Sequence, residues 1–224
     1  MNNQETVPSS SEGSREWGDG RPADIMTVAT IRVILAAARV LLLAQGYQPT
    51  TVSEIARAVR MAPETIIRYF PSKERLYAAI LREDLDALLR ALHASRQPAA
   101  DPLANLLHAH DAAAEFVAEH RHIEGFQLLT EAILSRCALS EANAEAAHNI
   151  VSHFERLIEE GMACGQFRPM HARRTAALQL GVCFGCARPF PLPPSEAQSP
   201  MGNAEMRRAF HDLIARSVLD RRAL

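Results

Sequence analysis

Within "TVSEIARAVRMAPETIIRYF" (residues 51–70), Thr65, Arg68 and Tyr69 set a hydroxyl, a guanidinium and a phenol close together in the chain. Such groups bond phosphate oxygens and base edges when a helix carries them on its outer face. Two other groupings suggest different chemistry. Cys183 and Cys186 form a C-x-x-C, the spacing of a redox dithiol or half a zinc site. No second C-x-x-C accompanies them, and no strand–helix thioredoxin pattern surrounds them. His108 with His110, and His120 with His122, are two apart, which on a helix points the rings about 200° from each other. His148 and His153, five apart, are equally poor chelators, and all of these histidines read as solvated or helix-surface residues. G-x-S-x-G, Walker, H-E-x-x-H and dinucleotide-glycine patterns are all missing. The expectation is a non-enzyme with no metal site and no cofactor.

The elements that must position Thr65, Arg68 and Tyr69 are helical. From Thr27 to Ala44, Ile31, Ile34, Leu35, Ala38, Leu41 and Leu42 recur at helical spacing, and Gly46 supplies a C-terminal stop. Thr51 can cap a second, short helix, with Glu54 three residues on completing a capping box. A third helix opens at Pro63 and must end by Phe70, because Pro71 follows. Ile55, Ala56 and Val59 pack the first of these short helices, and Ile66 and Phe70 bury the inner face of the second. Together they make a helix-turn-helix. Ser72 caps a longer fourth helix that turns Leu76, Ile80, Leu85, Leu88, Leu89 and Leu92 inward.

"QPAADP" (97–102) breaks the pattern and marks a hinge, beyond which helical stretches run at about 102–120, 122–137, 140–164 and 171–187. A Pro-rich loop with five Pro between Pro189 and Pro200 precedes a last amphipathic helix from about Gly202 to Leu219. Residues 1–24 are polar and aperiodic and read as a disordered tail, in which Trp17 is the only Trp. With no strand alternation, the expected fold is all-α: a helix-turn-helix domain over 25–75 and a helical body over 76–224.

Charge is unevenly distributed in this chain of 224 residues. Its formal net charge is -2, yet residues 25–75 carry seven basic and three acidic groups, and residues 76–160 six and fourteen. A basic segment beside an acidic body suggests that one end meets a polyanion. With no apolar run of membrane length, no signal-type block and only four Cys, the expected setting is a reducing cytoplasm away from membranes.

Residues 29–81 resemble the DNA-binding domain of the TetR (tetracycline-repressor) family of bacterial regulators. "ILAAARVLLLAQGYQPTTVSEIARAV" is similar to that family's first helix, Gly-aromatic turn and Thr-Val-x-x-Ile-Ala helix. "TIIRYFPSKERLYAAIL" is similar to its recognition helix and the Ser-Lys-Glu start of the fourth. The resemblance implies that Thr65, Arg68, Tyr69 and Lys73 contact DNA and that Thr51 lies near phosphate. Four positions depart from the family pattern. Arg60 stands where Gly is usual in the turn, at a cost of about 1–2 kcal/mol if φ is positive there, offset by a phosphate contact or by a different turn. Ala62 cannot cap as Ser does. Ile67 replaces an aromatic and can touch a thymine methyl without donating a hydrogen bond. Glu64 suits the helix dipole but repels phosphate.

The segment "FQLLTEAILSR", the long helix after it and "EEGMACGQFRP" resemble the sensor half of AefR-like members. The resemblance implies a bundle binding a small-molecule effector, and a homodimer paired through the helices near 171–187 and 202–219. In that setting Cys183 and Cys186 read as small apolar residues at the dimer seam, and Cys137 and Cys164 as core. Candidate ligand contacts are Phe116, Phe126, Phe154 and Phe184, with Leu129, Ile133, Met162 and Phe167 also on the bundle. Gln127, Thr130 and Glu131 are polar groups in an apolar stretch, able to orient a ligand or to form a solvated stripe. The function implied is a regulator of double-stranded DNA, a repressor released by a small apolar effector. The alternatives are a Cys-based redox-responsive regulator, and a helical adaptor or enzyme that no longer binds DNA.

Overall fold

The computed structural model describes residues 25–119, 141–186 and 204–220. Those residues form α1 (Ile25–Gln45), α2 (Val52–Ala58), α3 (Pro63–Tyr69), α4 (Lys73–Ser95), α5 (Pro102–Glu119), α6 (Glu141–Ala163), α7 (Ala172–Cys186) and α8 (Ala204–Val218), with no strand among them. The fold is all-helical, as the periodicity predicts. The helix expected at 122–137, the tail with Trp17, and the Pro-rich loop lie outside the described residues.

The local signals act where they were read. Gly46 adopts φ 81 and its N–H bonds the Leu42 carbonyl at 2.9 Å, closing α1. Thr51 and Glu54 form a complete capping box on α2, Pro63 sits in the first turn of α3, and the Ser72 hydroxyl caps α4.

Burial divides the side chains into two cores that share α4. Ile34, Leu35, Ala38 and Leu42 of α1 enclose Ile55, Ala56, Ile66 and Phe70 together with Leu76, Tyr77 and Ile80 from the start of α4. From Leu81 onward α4 faces a second core, where Leu85, Leu88 and Leu92 meet Leu106 of α5, Phe154 of α6, Leu180 of α7 and Phe210 of α8. Any tilt of α4 against the second core must therefore move the first. Two polar ties reinforce that junction. Arg39 of α1 pairs with Glu83 at 3.2 Å and with the buried carboxylate of Asp84, both on α4. Asn143 of α6, itself buried, donates to the Ala78 carbonyl of α4 at 3.0 Å.

Three sequence readings are corrected here. His110 and His153 are buried in the second core, because α5 and α6 present them in phase with Leu106, Ala113 and Val117, and with Ile150 and Leu157. Cys164 is exposed at the end of α6 and is not a core residue. Cys183 is wholly buried between helices of one chain, so it is not available to a dimer seam.

Candidate nucleic-acid interface

The geometry of α2, the turn and α3 follows from how their backbone ends are satisfied. The Thr51 hydroxyl accepts from the Glu54 N–H at 3.2 Å, while the Glu54 carboxylate accepts from the Thr51 N–H at 2.9 Å and from Gln45 at 3.2 Å. The Thr51 N–H foremost, then its hydroxyl, holds Glu54 below the usual carboxylate range. Thr51 is thus a cap first. Any phosphate it meets must approach a hydroxyl already bonded on both sides.

At the other end of α2 the Met61 N–H bonds the Ala56 carbonyl at 2.9 Å and the Arg60 N–H bonds that of Arg57 at 3.2 Å. This is a Schellman ending, and Arg60 occupies its left-handed position at φ 55. The position keeps the positive φ that the family's Gly serves, so the backbone cost falls on Arg60. Replacing Arg60 with Gly is expected to stabilise the protein by about 1 kcal/mol in urea unfolding. A lower or unchanged midpoint would show that the guanidinium contributes at least as much within the fold as the backbone loses.

Across the turn, Ala62 gives α3 no side-chain cap, as its methyl requires. Ile66 and Phe70 have no exposed surface, worth roughly 1.5–3 kcal/mol each, and they fix which face of α3 turns outward. That outer face carries Glu64, Ile67 and Arg68, with Ile67 48% exposed. Thr65 and Tyr69 are half-buried at its margins. The Arg68 guanidinium lies 5.8 Å from the centre of the Tyr69 ring, an orienting cation–π contact.

Lys73 is more committed than its sequence context suggests. Its ammonium sits 4.0 Å over the Tyr47 ring and donates to the Gln48 carbonyl at 3.2 Å. Tyr47 in turn donates to Glu74 at 3.2 Å, and burial, then Glu74, pushes its phenol up from the ordinary value. The loop after α1 is thereby pinned to the start of α4, and Lys73 as a whole is half-buried. Two cations were missed in the sequence reading: Arg57 on α2 and Arg75 on α4 are exposed, as are Arg60 and Arg68. None of these four forms an ion pair with the described residues. The available signals were the place of Arg57 between Ala56 and Ala58 and that of Arg75 in the charged first turn of α4 beside Lys73 and Glu74.

In the body, Phe116, Phe154 and Phe184 are all buried in the second core. Phe126, Gln127, Thr130 and Glu131 lie outside the described residues, and with them most of the expected effector cavity. No helix of the described residues is long and apolar enough to cross a membrane, and no group of three metal-ligating side chains occurs among them.

A short helix with Arg68 on its outward face and exposed arginines on the elements beside it, buttressed by a capped partner and joined by α4 to a larger bundle, defines the class of helix-turn-helix proteins with an appended helical body. Residues 34–80 match the family model "Bacterial regulatory proteins, tetR family". The chain is 40% identical over 73 residues to the HTH-type transcriptional regulator RutR of Escherichia coli K12, and that stretch covers 33% of this chain and 34% of RutR. The match thus spans about a third of this relative's length. Among solved structures, the TetR family transcriptional regulator PfmR of Thermus thermophilus is similar at TM-score 0.60 and 25% identity, over 82% of this chain and 97% of that one. A bacterial regulatory protein in the tetR family from Rhodococcus RHA1 is similar at TM-score 0.66 and 24% identity, over 84% and 96%. Residues 34–80 thus match a TetR-type helix-turn-helix domain, and over 82–84% of the chain the fold is that of these solved TetR-family regulators. The likeness of the C-terminal half is one of fold, so its resemblance to AefR-like members stays a proposal.

Proposed function

We propose that this protein is a cytoplasmic, homodimeric transcriptional regulator of the TetR type. It binds a pseudo-palindromic duplex through α3 and represses until a small, mostly apolar effector occupies the helical body. The proposed division is a tail over 1–24, a DNA-binding domain over 25–75 and an effector and dimerisation domain over 76–224. The observation that carries this reading is the α3 face: Ile67 and Arg68 stand out while Ile66 and Phe70 lock the helix from behind, with Arg57, Arg60 and Arg75 exposed on the adjoining elements and without an ion pair among the described residues. A guanidinium on such a face reads guanine edges, and its neighbours neutralise phosphates. Fluorescence anisotropy with duplexes tiling the DNA upstream of its own gene tests the reading. One duplex is expected to bind far more tightly than scrambled sequence, with affinity falling steeply as salt rises. No binding at low salt overturns it.

Pairing of two chains brings one recognition helix to each half-site. Its support is the apolar surface left on the last two helices: Leu178 is 73% exposed and Val182, Met206 and Leu213 are also exposed. A Cβ placed on Gly181 or Gly185 would meet nothing within 4 Å, so a partner helix can approach α7 closely there. Leu178→Glu combined with Leu213→Glu is expected to convert a micromolar dimer into a monomer in sedimentation velocity, since charge in an apolar seam finds no water. A variant that remains dimeric places the seam elsewhere.

A further inference from the structure

His110 is the point at which four helices of the body meet. Its ring, on α5, lies edge-on to Phe154 of α6 at 4.6 Å and to Phe210 of α8 at 5.6 Å between ring centres. The Cys183 thiol of α7 points at its carbonyl at 3.7 Å. The residue has no exposed surface. Its Nδ1 lies 2.8 Å from the Leu106 carbonyl. A carbonyl only accepts, so Nδ1 must carry the proton, and Nε2 is left as a bare lone pair. Among the described residues that nitrogen has no hydrogen-bond partner.

A buried acceptor without a donor is costly and needs an explanation. An apolar side chain of similar shape would fill the place at no such cost. We propose that His110 is the polar anchor of the effector site, accepting at Nε2 a hydrogen bond from an uncharged, mostly apolar ligand that carries one O–H or N–H donor. The inference rests on the regulator reading for its consequence, release of DNA, but not for the binding itself.

The surroundings select that chemical class. Burial pushes the imidazole down to about 4, so at neutral pH it offers a lone pair and no positive charge. Asp111 on its own helix and His211 on α8 act on it in opposite senses, the first raising and the second lowering its value. Asp111 is already taken by His211 at 2.8 Å. A carboxylate ligand would set lone pair against lone pair, and a quaternary ammonium has no proton to give. The edges and faces of Phe154 and Phe210 suit a flat ring or a short chain bearing the donor. The centre of a helical bundle is also where small ligands are held.

Phenol and toluene, alike in shape but differing in the donor, are the probes. With the full chain, phenol is expected to bind roughly tenfold more tightly than toluene by calorimetry, the value of one hydrogen bond. In His110→Phe the preference should disappear while binding to duplex DNA is kept. A second readout needs no variant: the 15N signal of His110 Nε2 in the wild type is expected to move toward the hydrogen-bonded position with phenol and to stay still with toluene. Three results would each overturn the proposal: equal binding of the two probes, no binding of phenol at millimolar concentration, and a preference for phenol that survives in His110→Phe. If His110→Phe loses the preference and the wild type binds no DNA, the anchor stands and the regulator reading falls. If DNA binds and phenol is not preferred, the reverse holds.

Discussion

Acidification from pH 7 to pH 4 is expected to remove about 3 kcal/mol of stability through His110 alone. Burial holds this imidazole neutral in the folded protein, with its value lowered from 6.5 to about 4. The unfolded chain takes up the proton near 6.5, so across this window it binds more protons than the folded one. Stability therefore rises with pH through the window, is complete above the unfolded value and falls as pH drops toward 4. His153 adds in the same direction, lowered to about 4 by burial first and then by His93, Arg156 and Arg96, with Glu160 opposing. The carboxylates of Glu54, Glu74 and Asp101 are held below their ordinary values by hydrogen bonds from Thr51, Ser72 and the Ala104 N–H respectively, so they stay ionised over most of the same range. Urea unfolding of the wild type and of His110→Phe at a series of pH values checks this. The variant should lose a large part of the slope between pH 6.5 and about 4, a range set by the two imidazole values. Parallel curves would mean that His110 takes up its proton without unfolding.

The difference between what was legible in the sequence and what was not follows the range of the interactions involved. Thr51 with Glu54, Pro63, Pro71 and Ser72 act within a few residues, so the helix-turn-helix could be drawn from local chemistry, and the structure keeps its boundaries. The strain at Arg60 was likewise visible as a side chain in a glycine position. The role of Lys73 was not, because the Tyr47 ring it covers comes 26 residues earlier and is brought there by packing. The tie from Arg39 to Glu83 and Asp84 has the same cause. His110 failed for a different reason. A polar ring was sorted by type onto the surface, although its spacing from Leu106, Ala113 and Val117 already placed it on the buried face of α5. Helical phase was the better guide there. The effector contacts at Phe126, Gln127, Thr130 and Glu131 stay as the sequence left them, outside the described residues.

The exposed cations around α3 are expected to separate into two kinds when removed. Arg57, Arg60 and Arg75 stand on α2, the turn and the first turn of α4, where they flank α3 and do not lie on its outward face. As phosphate contacts, each is expected to lower the slope of log affinity against log salt by about 0.9 when replaced with Gln, and a dimer loses each contact twice. Tight and loose sequences should weaken alike, because phosphates carry no sequence information. Arg68, on the outward face and steered by the Tyr69 ring, should behave otherwise. Its replacement by Ala removes about 1–3 kcal/mol per half-site at a cognate base, roughly 30-fold or more across the dimer, while binding to scrambled duplex changes little. Lys73→Ala tests the intermediate case. It should lower the salt slope like a phosphate contact and also lower the unfolding midpoint, because its ammonium holds the Tyr47–Gln48 loop to α4. Anisotropy at several salt concentrations on cognate and scrambled duplexes distinguishes all of these. An Arg68→Ala variant that weakens both duplexes equally would take base reading away from Arg68, leaving it to Ile67 on the same helix or to residues outside α3.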